Sequence, residues 1–293
     1  MKNNFIYIVL ALVAFATSCK AQAPQITVLA DTTTVAAVVD TLVKPEWVLL
    51  NKVSLTEADK LSIDPYSSVY ISDQSGNIRR YDSTGVLQLT YSPTKKGQVT
   101  LLESWRYINT FAFFRNFQTY LILDRFLNST SSLGIDNNTI GFARLATFSQ
   151  DNNLWIVDEG DFSLIKFNTT FNKVELKTNL DLLLDPELYD LTFMREYQNL
   201  VFLSDKNSGI LVFDNLGNYK NKIPAKGLEF FTFNADELIY LQQGQLKLYN
   251  IYKAKERSVT IPEGLNPTYV VMSSTRVYFL TPTELLIYKA PKF

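Results

Sequence analysis

The sequence predicts an all-β chain, a six-bladed β-propeller of four-stranded antiparallel blades closed by an N-terminal strand. Three observations lead there. Apolar strand-length runs recur with a period of roughly 40 residues. Each run is followed by a short polar turn and a second strand ending in an aromatic or polar residue. No stretch shows sustained 3.6-residue apolar spacing, which excludes the helical repeats of similar period.

The repeats run in order along the chain. Val69-Tyr70-Ile71-Ser72-Asp73 precedes Ile78-Arg79-Arg80-Tyr81, and Leu154-Trp155-Ile156-Val157-Asp158 precedes Leu164-Ile165-Lys166-Phe167. Leu200 to Asp205 precedes Ile210 to Asp214, Leu238 to Leu241 precedes Leu246 to Asn250, and Val277 to Leu280 precedes Leu285 to Tyr288. A divergent copy centres on Tyr120-Leu121-Ile122-Leu123-Asp124. A further short strand follows most copies, as at Val86 to Tyr91. The last copy stops after its third strand, and Trp47 to Leu55 is a strand-like run ahead of the first full copy. It fits as the missing outer strand of the last blade, which removes open edges between the first and last blades. The expected propeller therefore spans residues 46–293. The arrangement resembles the NHL-type propellers of bacteria, and that resemblance implies a rigid ring without specifying a function.

Ahead of the propeller lie two other segments. Lys2-Asn3-Asn4 and the apolar run Phe5 to Ala16 have the form of a secretory signal, too short to span a bilayer as a helix. Ala16-Thr17-Ser18-Cys19 brings small residues up to the chain's single cysteine. This resembles the lipobox of bacterial lipoproteins, in a form without Leu at the −3 position. The resemblance implies removal of residues 1–18 and acylation of Cys19, with the membrane held through that lipid anchor. A lone thiol in an oxidising compartment is otherwise a liability. Residues 19–45 are expected to form the lipidated cysteine and a flexible tether; the β-prone run Ile26 to Val43 also suits a strand for another protein.

Composition removes much chemistry. The chain has no histidine, so Ser-His-Asp catalysis, histidine bases and histidine metal sites are excluded. With one cysteine there is no intrachain disulfide and no thiolate metal cluster. The net charge of −1 is not that of a nucleic-acid binder. No cofactor is expected.

Three constellations remain. Asp73, Asp124, Asp158 and Asp205 stand where a second strand enters its turn, a place for either Ca²⁺ ligands or turn-capping carboxylates. Asp64 and Asn152 are the candidates for an axial metal of a lactonase-like hydrolase. Trp105, Arg106, Tyr107, Arg115 and Phe117 concentrate the residue types that anchor protein interfaces, or are the core of an irregular blade. The expectation is a non-enzymatic scaffold on the periplasmic face of the outer membrane. It would bind other outer-membrane or periplasmic proteins, as an accessory subunit of a secretion or assembly machine. Similar lipoproteins point to type 9 secretion as one such setting. A small-molecule or glycan binder using the axial funnel is the alternative, and the hydrolase the third reading.

Overall fold

A computed structural model describes residues 39–43, 45–135 and 139–291. The chain divides into two units, Met1–Ala36 and Ala37–Phe293. The first unit lies outside the described residues, and with it the expected signal sequence and Cys19.

The second unit is a ring of six antiparallel blades. Blade 1 comprises Ala58–Ile63, Val69–Asp73, Ile78–Tyr81 and Leu87–Tyr91. Blade 2 comprises Leu101–Glu103, Asn109–Phe114, Thr119–Asp124 and Ser129–Gly134. Blade 3 comprises Ala143–Phe148, Leu154–Asp158, Ser163–Asn168 and Lys173–Asn179. Blade 4 comprises Leu191–Tyr197, Leu200–Asp205, Gly209–Asp214 and Tyr219–Ile223. Blade 5 comprises Thr232–Asn234, Glu237–Gln242, Gln245–Asn250 and Lys255–Thr260. Blade 6 comprises Tyr269–Met272, Arg276–Leu280 and Glu284–Lys289, and its outer strand is Leu49–Ser54. That strand runs antiparallel to Glu284–Lys289, with Leu49 opposite Tyr288 and Ser54 opposite Glu284. Among the described residues the one helical segment is a single 3₁₀ turn, Arg115–Phe117.

Burial explains why the strands read as they do. The second strands, buried on both faces between blades, are continuous apolar runs such as Leu154–Asp158. Outer strands alternate or are exposed, as in Lys173–Asn179. The spaces between blades are filled by separate apolar clusters. Trp155, Met194, Leu203 and Phe213 pack between blades 3 and 4; Ile239, Leu248, Val270 and Phe279 pack between blades 5 and 6. Blades 4 and 5 meet through Tyr197 and Phe233, stacked at 4.2 Å and 8°.

Two observations differ from the sequence-based expectation. Val39–Val43, within the range read as a tether, forms a fifth strand on blade 5, parallel to Lys255–Thr260 with Val39 opposite Glu256. Its backbone groups satisfy an edge that would otherwise face solvent. In blade 2, Tyr120–Asp124 was expected as the second strand and is part of the third. The second strand is the aromatic run Asn109–Phe114, and the 3₁₀ turn replaces the polar turn that follows second strands elsewhere.

Gly209 is a glycine whose replacement is blocked twice. Its φ is +117°, and an added Cβ would stand 2.3 Å from the Ile223 carbonyl oxygen. Trp47 links the N-terminal side to two blades. Its Nε1 donates to the Thr260 carbonyl at 2.7 Å, and its ring packs edge-on against Phe279 and Tyr288 at 5.5 and 5.6 Å. Trp47→Ala is expected to destabilise the unit by about 3 kcal/mol, read as a lowered urea midpoint with an unchanged far-UV spectrum. An unaltered midpoint would show that these contacts of Trp47 contribute nothing to stability.

Candidate functional site

The six inner strands bring polar side chains to the axis, where water is scarce. Several are held by a neighbouring blade. Glu196 of blade 4 accepts from Ser149 Oγ at 2.5 Å, from the Gln150 amide at 3.2 Å and from Trp155 Nε1 at 2.6 Å, all in blade 3. Ser104 of blade 2 donates its amide to Ser62 Oγ of blade 1 at 2.9 Å. Glu103 of blade 2 accepts from Thr147 Oγ1 of blade 3 at 2.8 Å, while its Oε1 is buried with no hydrogen-bond partner. Burial raises the Glu103 carboxyl to about 7, although the Arg195 guanidinium and the Thr147 hydroxyl act in the other direction.

The axis opens into a cavity at each end. One, of about 350 Å³, is lined by Asp64, Trp105, Arg195, Tyr197, Phe233 and Met272 among others. The other, of about 220 Å³, is lined by Lys60, Thr100, Arg115, Glu229 and Tyr269 among others. Arg195 is buried beneath the first, with its guanidinium carbon 5.6 Å from the Trp105 and Phe233 ring centres and 5.9 Å from that of Tyr197. Burial lowers its pKa against the opposing influence of Glu103 and Tyr197.

The five residues singled out as interface anchors are not one patch. Trp105, Arg106 and Tyr107 lie in the turn between the first two strands of blade 2. Arg115 and Phe117 lie in the turn between its second and third strands, at the opposite end of the blade. All five are half-buried. Arg106 donates to the Ser149 and Gln150 carbonyls of blade 3 at 3.2 and 2.9 Å, and its guanidinium covers Phe148. Tyr107 rests on Tyr66 of blade 1 with ring centres 4.3 Å apart. At the other end, Arg115 is 3.8 Å from a Glu159 oxygen and Phe117 lies under Lys95 Nζ at 3.8 Å.

The aspartates are occupied by turns. Asp73 accepts the amides of Ser75 and Asn77, Asp158 those of Gly141, Phe142 and Gly160, and Asp205 those of Asp190 and Ser208. Asp124 does the same for Phe126 and Asn128, but at the end of a third strand, so it lies at the opposite end of the ring from the other three. Asp64 accepts the amides of Tyr66 and Ser68. Asn152 is an exposed turn residue at φ +67°. Among the described residues no group of three or more acidic or thiol side chains is placed to hold a metal.

Sequence reasoning missed a set of apolar turn tips. Phe126, Phe171, Leu216 and Tyr252 stand in the third-to-fourth turns of blades 2 to 5, each more than half exposed. Tyr66 and Ile108, in first-to-second turns, are exposed at the same end. The signal was present in the sequence: each tip is an apolar residue two or three positions after the Asp or Asn that caps its turn, where no strand face shelters it.

No protein-family model and no curated protein matches the chain. Solved structures do match its fold. A catalytically inactive virginiamycin B lyase from Staphylococcus aureus matches with a TM-score of 0.55 and 10% identity, over 80% of this chain and 81% of that one. The Pan2 WD40 domain of Neurospora crassa matches at 0.56 and 9%, over 84% and 96%. BamB from Moraxella catarrhalis matches at 0.48 and 12%, over 84% and 100%. The likeness is one of fold.

The raised Glu103 carboxyl carries a pH dependence. Its folded pKa lies above the unfolded value, so its favourable contribution is complete below about pH 4.5 and is lost as pH rises through about 7. Glu103→Gln is expected to raise stability at pH 8 by up to about 3 kcal/mol and to leave it unchanged at pH 4. Urea midpoints across that range check this; a gain at pH 4 equal to that at pH 8 would remove the titration argument.

Proposed function

We propose that this chain is a non-catalytic, lipid-anchored scaffold, an accessory subunit of an outer-membrane protein complex in secretion or assembly, with type 9 secretion one such setting. Cys19 carries the anchor and the periplasmic face is its location. The observation that carries the reading is the apolar rim at one end of the ring. Six large apolar side chains, Tyr66, Ile108, Phe126, Phe171, Leu216 and Tyr252, stand exposed on rigid turns at that end. Beside two of them the Tyr66–Tyr107 pair and the interblade-fixed Arg106 offer preorganised aromatic and guanidinium groups, the types that dominate interface energetics.

Chemistry supports the same reading by elimination. A histidine-to-alanine variant of the virginiamycin B lyase is catalytically inactive, and this chain contains no histidine. Asp64, the residue a lactonase-like metal site would need, is engaged by its own turn. Arg115 and Phe117 lie at the other end of the ring and are not part of the proposed contact surface.

Two experiments test the reading. Pull-down from detergent-solubilised native membranes is expected to recover a stable protein partner with the wild type. Tyr107→Ala/Ile108→Ala is expected to weaken recovery, since truncating a central aromatic anchor costs about 2 kcal/mol, roughly thirtyfold in affinity. Leu182→Ala, at the opposite end of the ring, serves as the control that should bind normally. A wild type recovered alone, with hydrolysis of a lactone switched on by a divalent metal, would replace the scaffold by the hydrolase. For the anchor, Cys19→Ala is expected to abolish acyl labelling by radioactive palmitate; labelling that persists would refute attachment at Cys19.

A further inference from the structure

We infer that the larger axial cavity is a binding site for a small organic monocarboxylate with a flat apolar body, and that Arg195 is the group that recognises its carboxylate. This goes beyond the scaffold reading and does not depend on it.

A buried cation lines this cavity. Arg195 is 7% exposed. Its one hydrogen bond among the described residues runs from Nη1 to Thr232 Oγ1 at 3.5 Å, near the limit of a useful contact, and its Nε has no acceptor. No carboxylate of the described residues lies within ion-pair distance of it. A buried guanidinium is ordinarily paired, because desolvation is costly. Here three aromatic rings surround the guanidinium, Glu103 supplies a negative charge behind it, and Nη2 makes no hydrogen bond among the described residues. The planar donor edge of a guanidinium matches a carboxylate through two parallel hydrogen bonds.

The walls choose the rest of the ligand. Tyr197 and Phe233 are stacked on each other, and the Tyr197 hydroxyl donates to the Ala235 carbonyl at 2.8 Å, so this wall is fixed before anything binds. Trp105 forms a second wall and Met272 an apolar contact between them. Flat aromatic faces around about 350 Å³ suit a ring-bearing molecule of modest size. Asp64 also lines the cavity, and Glu103 lies behind Arg195. Two acidic groups beside a single arginine favour a monoanion over a phosphate dianion, whose second charge has no cationic partner here.

The test uses the purified full chain, titrated by calorimetry and by intrinsic tryptophan emission with phenylacetate, with its cationic isostere 2-phenylethylammonium, and with inorganic phosphate. Phenylacetate is expected to bind saturably and to perturb Trp105 emission, an effect lost in Trp105→Phe, and the other two are expected not to bind. Arg195→Gln should weaken phenylacetate roughly tenfold to a hundredfold, and Arg195→Lys should recover part of the loss. The comparison of the three probes on the wild type needs no variant, so a fold lost in Arg195→Gln leaves the inference testable. Phenylacetate binding no better than 2-phenylethylammonium, tighter binding of phosphate, or full affinity in a folded Arg195→Gln would each overturn it.

Discussion

Six inner strands converge on one axis, and several of the polar groups they bring there are satisfied by a neighbouring blade. That constraint organises the molecule. A blade cannot bury its inner strand alone, so Glu196 bonds to three donors of the preceding blade and Ser62 accepts from the blade that follows. Removing either partner of such a contact leaves a buried polar atom exposed to no solvent, at a cost of roughly 1–3 kcal/mol each. The apolar clusters between blades supply the bulk of the burial, but they are non-directional. The axial hydrogen bonds fix which blade faces which.

The same constraint explains why the axis is also where chemistry concentrates. Glu103 and Arg195 are both buried, and each leaves a side-chain atom without a hydrogen-bond partner. In a purely structural core such atoms are removed by apolar replacement, which is often neutral or stabilising. Their presence beneath an aromatic-lined opening makes the axial cavity polar as well as apolar. The turns at the rim, by contrast, spend their carboxylates on backbone amides and present apolar tips outward.

Much of this fold was legible in the sequence because its signal is doubly periodic. The second strands are buried on both faces and read as unbroken apolar runs, and an Asp that accepts two amides closes several of the turns. The same device misled the reading of blade 2. Asp73 and Asn77 close a second-to-third turn, while Asp124 with Asn128 and Asp214 with Asn218 close third-to-fourth turns through the same pair of amides and the same Asn side-chain contact. Turn chemistry is local and carries no information about which end of the blade it occupies. Only the run Asn109–Phe114 distinguished the two, and its aromatics resembled an exposed cluster as readily as a buried strand. The candidate anchors were separated for that reason: Trp105 to Tyr107 and Arg115 to Phe117 are close in sequence, but one full strand carries them to opposite ends of the ring. The axial residue Arg195 was invisible for a different reason. Nothing in Phe193-Met194-Arg195-Glu196-Tyr197 separates a charged residue at the axis from one at the surface until the neighbouring blades are in place.

The path of the N-terminal side gives the two ends of the ring different meanings. Outer strands begin at the end that carries the apolar tips, because each follows a third-to-fourth turn or stands in its place. Leu49–Ser54 occupies such a position, and Val39–Val43 begins opposite Glu256, directly after the Asn250-to-Ala254 turn that bears Tyr252. Val39 therefore lies at the end of the ring that carries the exposed tips and the mouth of the larger axial cavity, and the turns of the opposite end close over the smaller one.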